Sequence, residues 1–98
     1  EAHYQKLAPH NPLGPVSTAS CAHLDFASPL FGVQELARKP GYLEDVFPRQ
    51  LRFDDGYLLL PEDPGLGVEI NEEAIEDHPF QMSPPSELHR DDGSVTNW

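Results

Sequence analysis

Apolar and polar positions along this chain form one long periodic run and several short ones. Over Pro15–Ala27 the small and apolar residues recur at Val16, Ala19, Ser20, His23, Phe26 and Ala27, the stripe of an amphipathic helix. Pro15 suits a first helical turn, where its missing N–H is harmless, and Ser28-Pro29 ends the run. His23 lies on the stripe, so it is expected to pack and bond to backbone rather than hold a ligand. Before the helix, Gln5–Ala8 reads as a short strand running into His10. After it, Leu30–Gln34 reads as a short buried strand ending at Glu35. Strand, helix and strand make one βαβ unit, whose strands are expected to be parallel and adjacent.

Beyond Glu35 the pattern loosens. Leu36–Gln50, broken at Pro40-Gly41 and Pro48, reads as a long, partly helical loop. Asp54-Asp55-Gly56 between Leu51–Phe53 and Tyr57–Leu60 is a hairpin signal. Pro61–Gly67 is rich in turn residues, and Leu66–Ile70 reads as a strand. Asn71 is placed to cap a short acidic helix through Ile75 or Glu76, with Glu72 and Glu73 in its first turn and Pro79 as its stop. Gln81–Trp98 reads as irregular.

The densest local grammar is Leu7-Ala-Pro-His-Asn-Pro-Leu-Gly-Pro15. Pro9 and Pro12 stiffen the backbone on either side of His10 and remove two donors. Taken alone, these nine residues describe a surface turn with an incidental histidine better than a site. The βαβ unit changes that. His10 and Glu35 lie 25 residues apart, and each would end its own parallel strand. Neighbouring strands are ~5 Å apart, so the two side chains can meet where α/β folds build active sites. A structural ion pair explains the same placement equally well.

Composition narrows the classes. The chain has 98 residues, 38% of them hydrophobic, and a formal charge of −11. Its 11 prolines are about twice the average usage of roughly 5%. Such acidity works against compaction of a lone small domain. No basic patch suggests nucleic acid, and no apolar run is long enough to span a membrane. Cys21 is the single cysteine, so no disulfide framework exists, and it is expected as a small core residue. The acidic pairs Asp54-Asp55 and Asp91-Asp92 lack calcium-loop spacing and read as turns. His3, His78 and His89 are expected to be solvated. The chain opens without Met, in what reads as a helix end, so it is expected to begin inside a longer polypeptide.

Three blocks carry a resemblance. Leu7–Pro15, Phe31-Gly-Val-Gln-Glu35 and Pro64-Gly-Leu-Gly-Val-Glu-Ile70 resemble the C-terminal part of sugar-acid dehydratases, in the mandelate racemase branch of the enolase superfamily. Asp92–Trp98 is similar to the ends of galactonate and mannonate dehydratases. The resemblance implies an α/β fold, the C-terminal portion of a modified TIM barrel, (β/α)7β, with a tail returning to an α+β capping domain. Residues 1–36 would supply the last two strands and their helix. Residues 37–98 would pack on barrel and cap.

It also implies roles. His10 would take the C2 proton of a sugar acid, Glu35 would face the developing enediolate oxygen as a neutral donor, and Asn11 and Pro12 would contact substrate. None of these residues would bind metal. Magnesium would be held by carboxylates upstream of Glu1, as would the Asp partner of His10 and a second acid, in a protein ~4 times longer and beyond single-core size. The implied partners are a sugar acid, the rest of the polypeptide and further copies in a homo-oligomer, in the cytoplasm. The short elbow after His10 favours galactonate-type over mannonate-type chemistry. A racemase or epimerase of the same superfamily, or a non-catalytic acidic binding module, are the competing classes.

Overall fold

The computed structural model describes residues 2–37, 41, 43–82 and 88–96. Its elements in order are α1 (Pro15–Ala27), β1 (Arg52–Asp54), β2 (Tyr57–Leu59), α2 (Glu72–Ile75), β3 (Leu88–His89) and β4 (Val95–Thr96). α1 spans the residues its periodicity predicts.

The two expected strands around α1 meet as a single parallel bridge, Leu7 with Phe31. The Leu7 N–H donates to the Leu30 carbonyl at 2.9 Å, and the Gly32 N–H donates to the Leu7 carbonyl at 2.8 Å. The pairing is parallel, as a βαβ unit requires, but no regular strand extends from it. Pro9 has no N–H with which to continue the ladder. Gly32 matters here because a Cβ at that position would lie 3.2 Å from the Leu7 carbonyl oxygen.

α1 presents a different face from the expected one. Thr18, Ala19, Ala22 and Asp25 are buried, whereas Val16, Ser20, Phe26 and Ala27 are exposed. Ala19 and Ala22 pack with Leu51, against which Leu58 and Val68 are partly buried. His23 is half-buried, and its Nε2 has no hydrogen-bond partner among the described residues, contrary to the expected backbone bond. Both Asp25 oxygens also lack a partner among those residues, and burial pushes its carboxyl above its ordinary value. Cys21 is half-buried and unoxidised.

β1 and β2 pair antiparallel, with Arg52 opposite Leu59 and Asp54 opposite Tyr57. Asp55 (φ 42°) and Gly56 (φ 89°) turn the corner, both in the left-handed region that a tight hairpin needs. The expected Leu66–Ile70 strand contracts to one bridge, Glu69 with Arg49. Arg49 reinforces it by pairing with Asp63 at 3.0 Å and Glu69 at 2.9 Å. Asn71 precedes α2, but its side chain makes no capping bond. Its backbone N–H donates to the Val46 carbonyl instead.

Two further expectations are corrected. The tail is not wholly irregular, because β3 and β4 pair antiparallel across Asp91-Asp92-Gly93. Asp92 Oδ1 accepts from the Ser94 N–H and hydroxyl, which closes that turn. Two-residue strands carry no alternation to read. His78 is not free in solvent but sits 2.5 Å from Asp45. That hydrogen bond holds the Asp45 carboxyl below its ordinary value. The breaks placed at Pro40 and Pro84-Pro85, and the terminal Trp98, lie outside the described residues.

The buried apolar side chains among the described residues are Ala19, Ala22, Val46 and Leu51. The radius of gyration is 17.1 Å, against ~13 Å for a compact domain of this length. So little apolar burial cannot offset the ordering of the chain. The 98-residue chain on its own is therefore expected to melt broadly, without a cooperative transition, when followed by circular dichroism. A sharp two-state transition of the monomer would overturn that expectation.

Candidate active site

The elbow after Leu7 and the segment after Phe31 leave their bridge in the same direction. His10 stands three residues past one partner and Glu35 four past the other. The structure brings these two side chains together, with His10 Nδ1 2.6 Å from Glu35 Oε2. The same oxygen accepts the Asn11 backbone N–H at 2.6 Å. Both side chains stay open to solvent, 80% for His10 and 47% for Glu35.

Electrostatics follow from that geometry. The Asn11 N–H, opposed by partial desolvation and helped by His10, holds the Glu35 carboxyl below its ordinary value. In this arrangement Glu35 Oε2 is the acceptor of both hydrogen bonds. An acceptor at Oε2 requires the proton of a neutral imidazole to sit on Nδ1. Nε2 is then the nitrogen with the lone pair. Because the Glu35 value is depressed, the stabilisation its ionised form contributes is present above the ordinary carboxylate range and is lost as pH falls through the lowered value.

Pro12 is exposed beside the pair. Asn11 is fully buried, at 0% exposure. Its Oδ1 accepts from the Ser17 hydroxyl at 2.8 Å. Its Nδ2 donates to Thr18 Oγ1 at 2.9 Å and to the Glu35 carbonyl at 3.3 Å. The side-chain amide of Asn11 is thus occupied by protein groups. Ser17 and Thr18 were not anticipated as parts of this cluster. Their signal was available, since hydroxyls in a first helical turn seek local partners.

An apolar groove of about 380 Å³ lies elsewhere, lined among others by Ala22, Phe26, Phe31, Val33 and Phe53. Neither His10 nor Glu35 lines it. Among the described residues no group of three or more His, Cys, Asp or Glu could hold a metal ion. Among them, too, no helix is long and apolar enough to cross a membrane.

A family model described as enolase C-terminal domain-like matches residues 1–74. The chain belongs to the enolase C-terminal domain-like family. Its α/β fold is that family's barrel class, which solved relatives share. It is 39% identical over 109 residues to a D-galactonate dehydratase of Verminephrobacter eiseniae, covering 100% of this chain and 28% of that protein. It is 34% identical over 100 residues to a D-mannonate dehydratase of Caulobacter vibrioides, covering 100% and 25%. An enolase from Pantoea ananatis, crystallised with D-gluconate and magnesium, superposes with a TM-score of 0.71 at 35% identity, over 80% of this chain and 19% of that one. The chain thus spans about a quarter of the length of the curated dehydratases it matches.

The ranked causes of the Glu35 shift give a direct test. Carbon-13 NMR of the Glu35 carboxyl should show a titration midpoint below the ordinary glutamate value. In a His10→Ala variant the midpoint should rise only part of the way, because the Asn11 N–H remains. A full return to the ordinary value would show that His10 alone sets the carboxylate.

Proposed function

We propose that the whole protein is a magnesium-dependent dehydratase of sugar acids, of the galactonate type. This chain contributes the last two strands of its barrel, with His10 as the base, and a tail that packs on the barrel and its cap. The observation that carries this reading is the convergence of His10 and Glu35 on one open side of a parallel bridge. An exposed ion pair adds little to stability, so a purely structural purpose accounts poorly for so much local order.

In this reading the C2–H bond of the sugar acid breaks and its proton passes to His10 Nε2. Glu35, beside the base, faces the enediolate oxygen that develops. The electron pair left on the substrate expels the C3 hydroxyl, which leaves as water after taking a proton from a separate general acid. The resulting enol becomes the 2-keto-3-deoxy acid. Pro12, exposed beside the pair, lines the substrate side. Magnesium, present in the Pantoea relative, would stabilise the negative charge that develops on the substrate when bound to the whole protein. The same reading carries a cytoplasmic, homo-oligomeric enzyme.

The whole protein, supplied with magnesium, should convert one or more sugar acids to 2-keto-3-deoxy acids in a substrate screen. Replacing His10 by Asn should reduce both turnover and C2 proton exchange with solvent by at least ~10²-fold. Exchange retained in H10N removes His10 as the base. Inversion at C2 without loss of water moves the protein to the racemase reading.

A further inference from the structure

We infer that Asn11 is the positioning residue of this site, a buried amide that ties the start of α1 to Glu35 and so aims one carboxylate oxygen at His10. The inference rests on the reading of His10 and Glu35 as the working pair and adds a third residue to it.

Three parts of the chain converge on this side chain. The elbow contributes Asn11 itself, the first turn of α1 contributes Ser17 and Thr18, and the segment after Phe31 contributes the Glu35 carbonyl. The Thr18 hydroxyl is itself fixed, donating to the Gly14 carbonyl at 3.2 Å. Thr18 Oγ1 must therefore accept from Asn11, so the roles in the cluster are determined. Asn11 uses one acceptor and two donor positions on a side chain with a single methylene.

Few residue types can do this. Aspartate has no N–H to give to Thr18 or the Glu35 carbonyl, and it would bring a like charge beside Glu35. Leucine would leave the Ser17 hydroxyl without its acceptor, and the Glu35 carbonyl would keep only the Gln34 amide as donor. The outcome of the correct arrangement is that the backbone N–H of the same residue points at Glu35 Oε2. Side chain and main chain of Asn11 thus grip Glu35 at two places, its carbonyl and its carboxylate. Glu35 is half-exposed and otherwise able to rotate into solvent, so this grip decides where its charge sits. From that position its Oε2 meets His10 Nδ1.

The test uses the whole protein with Asn11→Ala, Thr18→Val and Thr18→Ser. Steady-state dehydration and the carbon-13 titration of Glu35 are the two readouts. In N11A, kcat should fall about 10- to 100-fold while KM changes by less than about twofold, as expected for lost alignment. The Glu35 midpoint should move to higher pH. T18V should shift both readouts in the same direction by less, and T18S should restore them. A residue that serves folding alone would lower the melting temperature and leave the Glu35 titration of the folded protein unmoved, which overturns the inference. If N11A does not fold, T18V decides by the same criterion. Should the protein dehydrate no sugar acid, the proposed activity fails, yet the Glu35 titration still decides the role of Asn11. Normal turnover with an unmoved titration in both variants removes Asn11 and leaves the activity standing.

Discussion

One oxygen atom, Glu35 Oε2, organises this end of the molecule. It accepts two donors at 2.6 Å, the His10 ring and the Asn11 backbone. Both donors come from the elbow between Pro9 and Pro12, and the acceptor comes from the far end of the βαβ unit. The contact therefore closes the unit at the opposite end from the Leu7–Phe31 bridge. Hydrogen bonds to an ionised acceptor are stronger than neutral ones. Together they hold its charge beside the imidazole ring.

Stability and chemistry occupy different places in the chain. The buried contacts join α1 to the β1–β2 hairpin through Ala19, Ala22 and Leu51. A second anchor is Arg49, held between Asp63 and Glu69. The His10–Glu35 pair belongs to neither and remains open to solvent. Asn11 is the link between them. It is buried like a core residue, yet its partners are hydroxyls, a carbonyl and the reacting carboxylate. Local strength of this kind is bought with polar satisfaction rather than apolar area, which suits a segment where three prolines and a glycine limit packing.

Much of this could be read in the residues, and the misreadings have physical causes. α1 and the β1–β2 hairpin were legible because a 3.6-residue period and an Asp-Gly turn are signals contained within the elements themselves. The pairing of His10 with Glu35 was legible because the handedness and adjacency of βαβ strands constrain where their ends lie. The buried face of α1 was not, because burial there follows closeness of approach. Thr18 is buried by its bonds to Asn11 and Gly14, whereas the larger Phe26 lies open on the apolar groove. The ionisation of Glu35 was invisible for a related reason. It depends on the direction of a backbone N–H at Asn11, and no residue pattern encodes that. The β3–β4 hairpin is too short for alternation, and the His78–Asp45 contact joins residues 33 positions apart with no motif between them.

The comparison with known dehydratases sharpens what this quarter of the molecule can encode. Relatives named for galactonate and for mannonate each align along the whole chain, at 39% and 34% identity. The two names differ in which sugar hydroxyl configuration is accepted, whereas removal of a proton beside a carboxylate is common to both. Residues that serve the common step should lie in shared sequence, and those that read configuration should be spread elsewhere. His10, Asn11 and Glu35 fit the first class on physical grounds. All three act on a proton and a charge, and none of their mutual contacts depends on the shape of a sugar. An imidazole is too weak a base to remove such a proton unaided, so the charge that develops on the substrate needs stabilisation from groups beyond these three. What this chain shows is a histidine and a carboxylate held together, with the buried amide of Asn11 beside them.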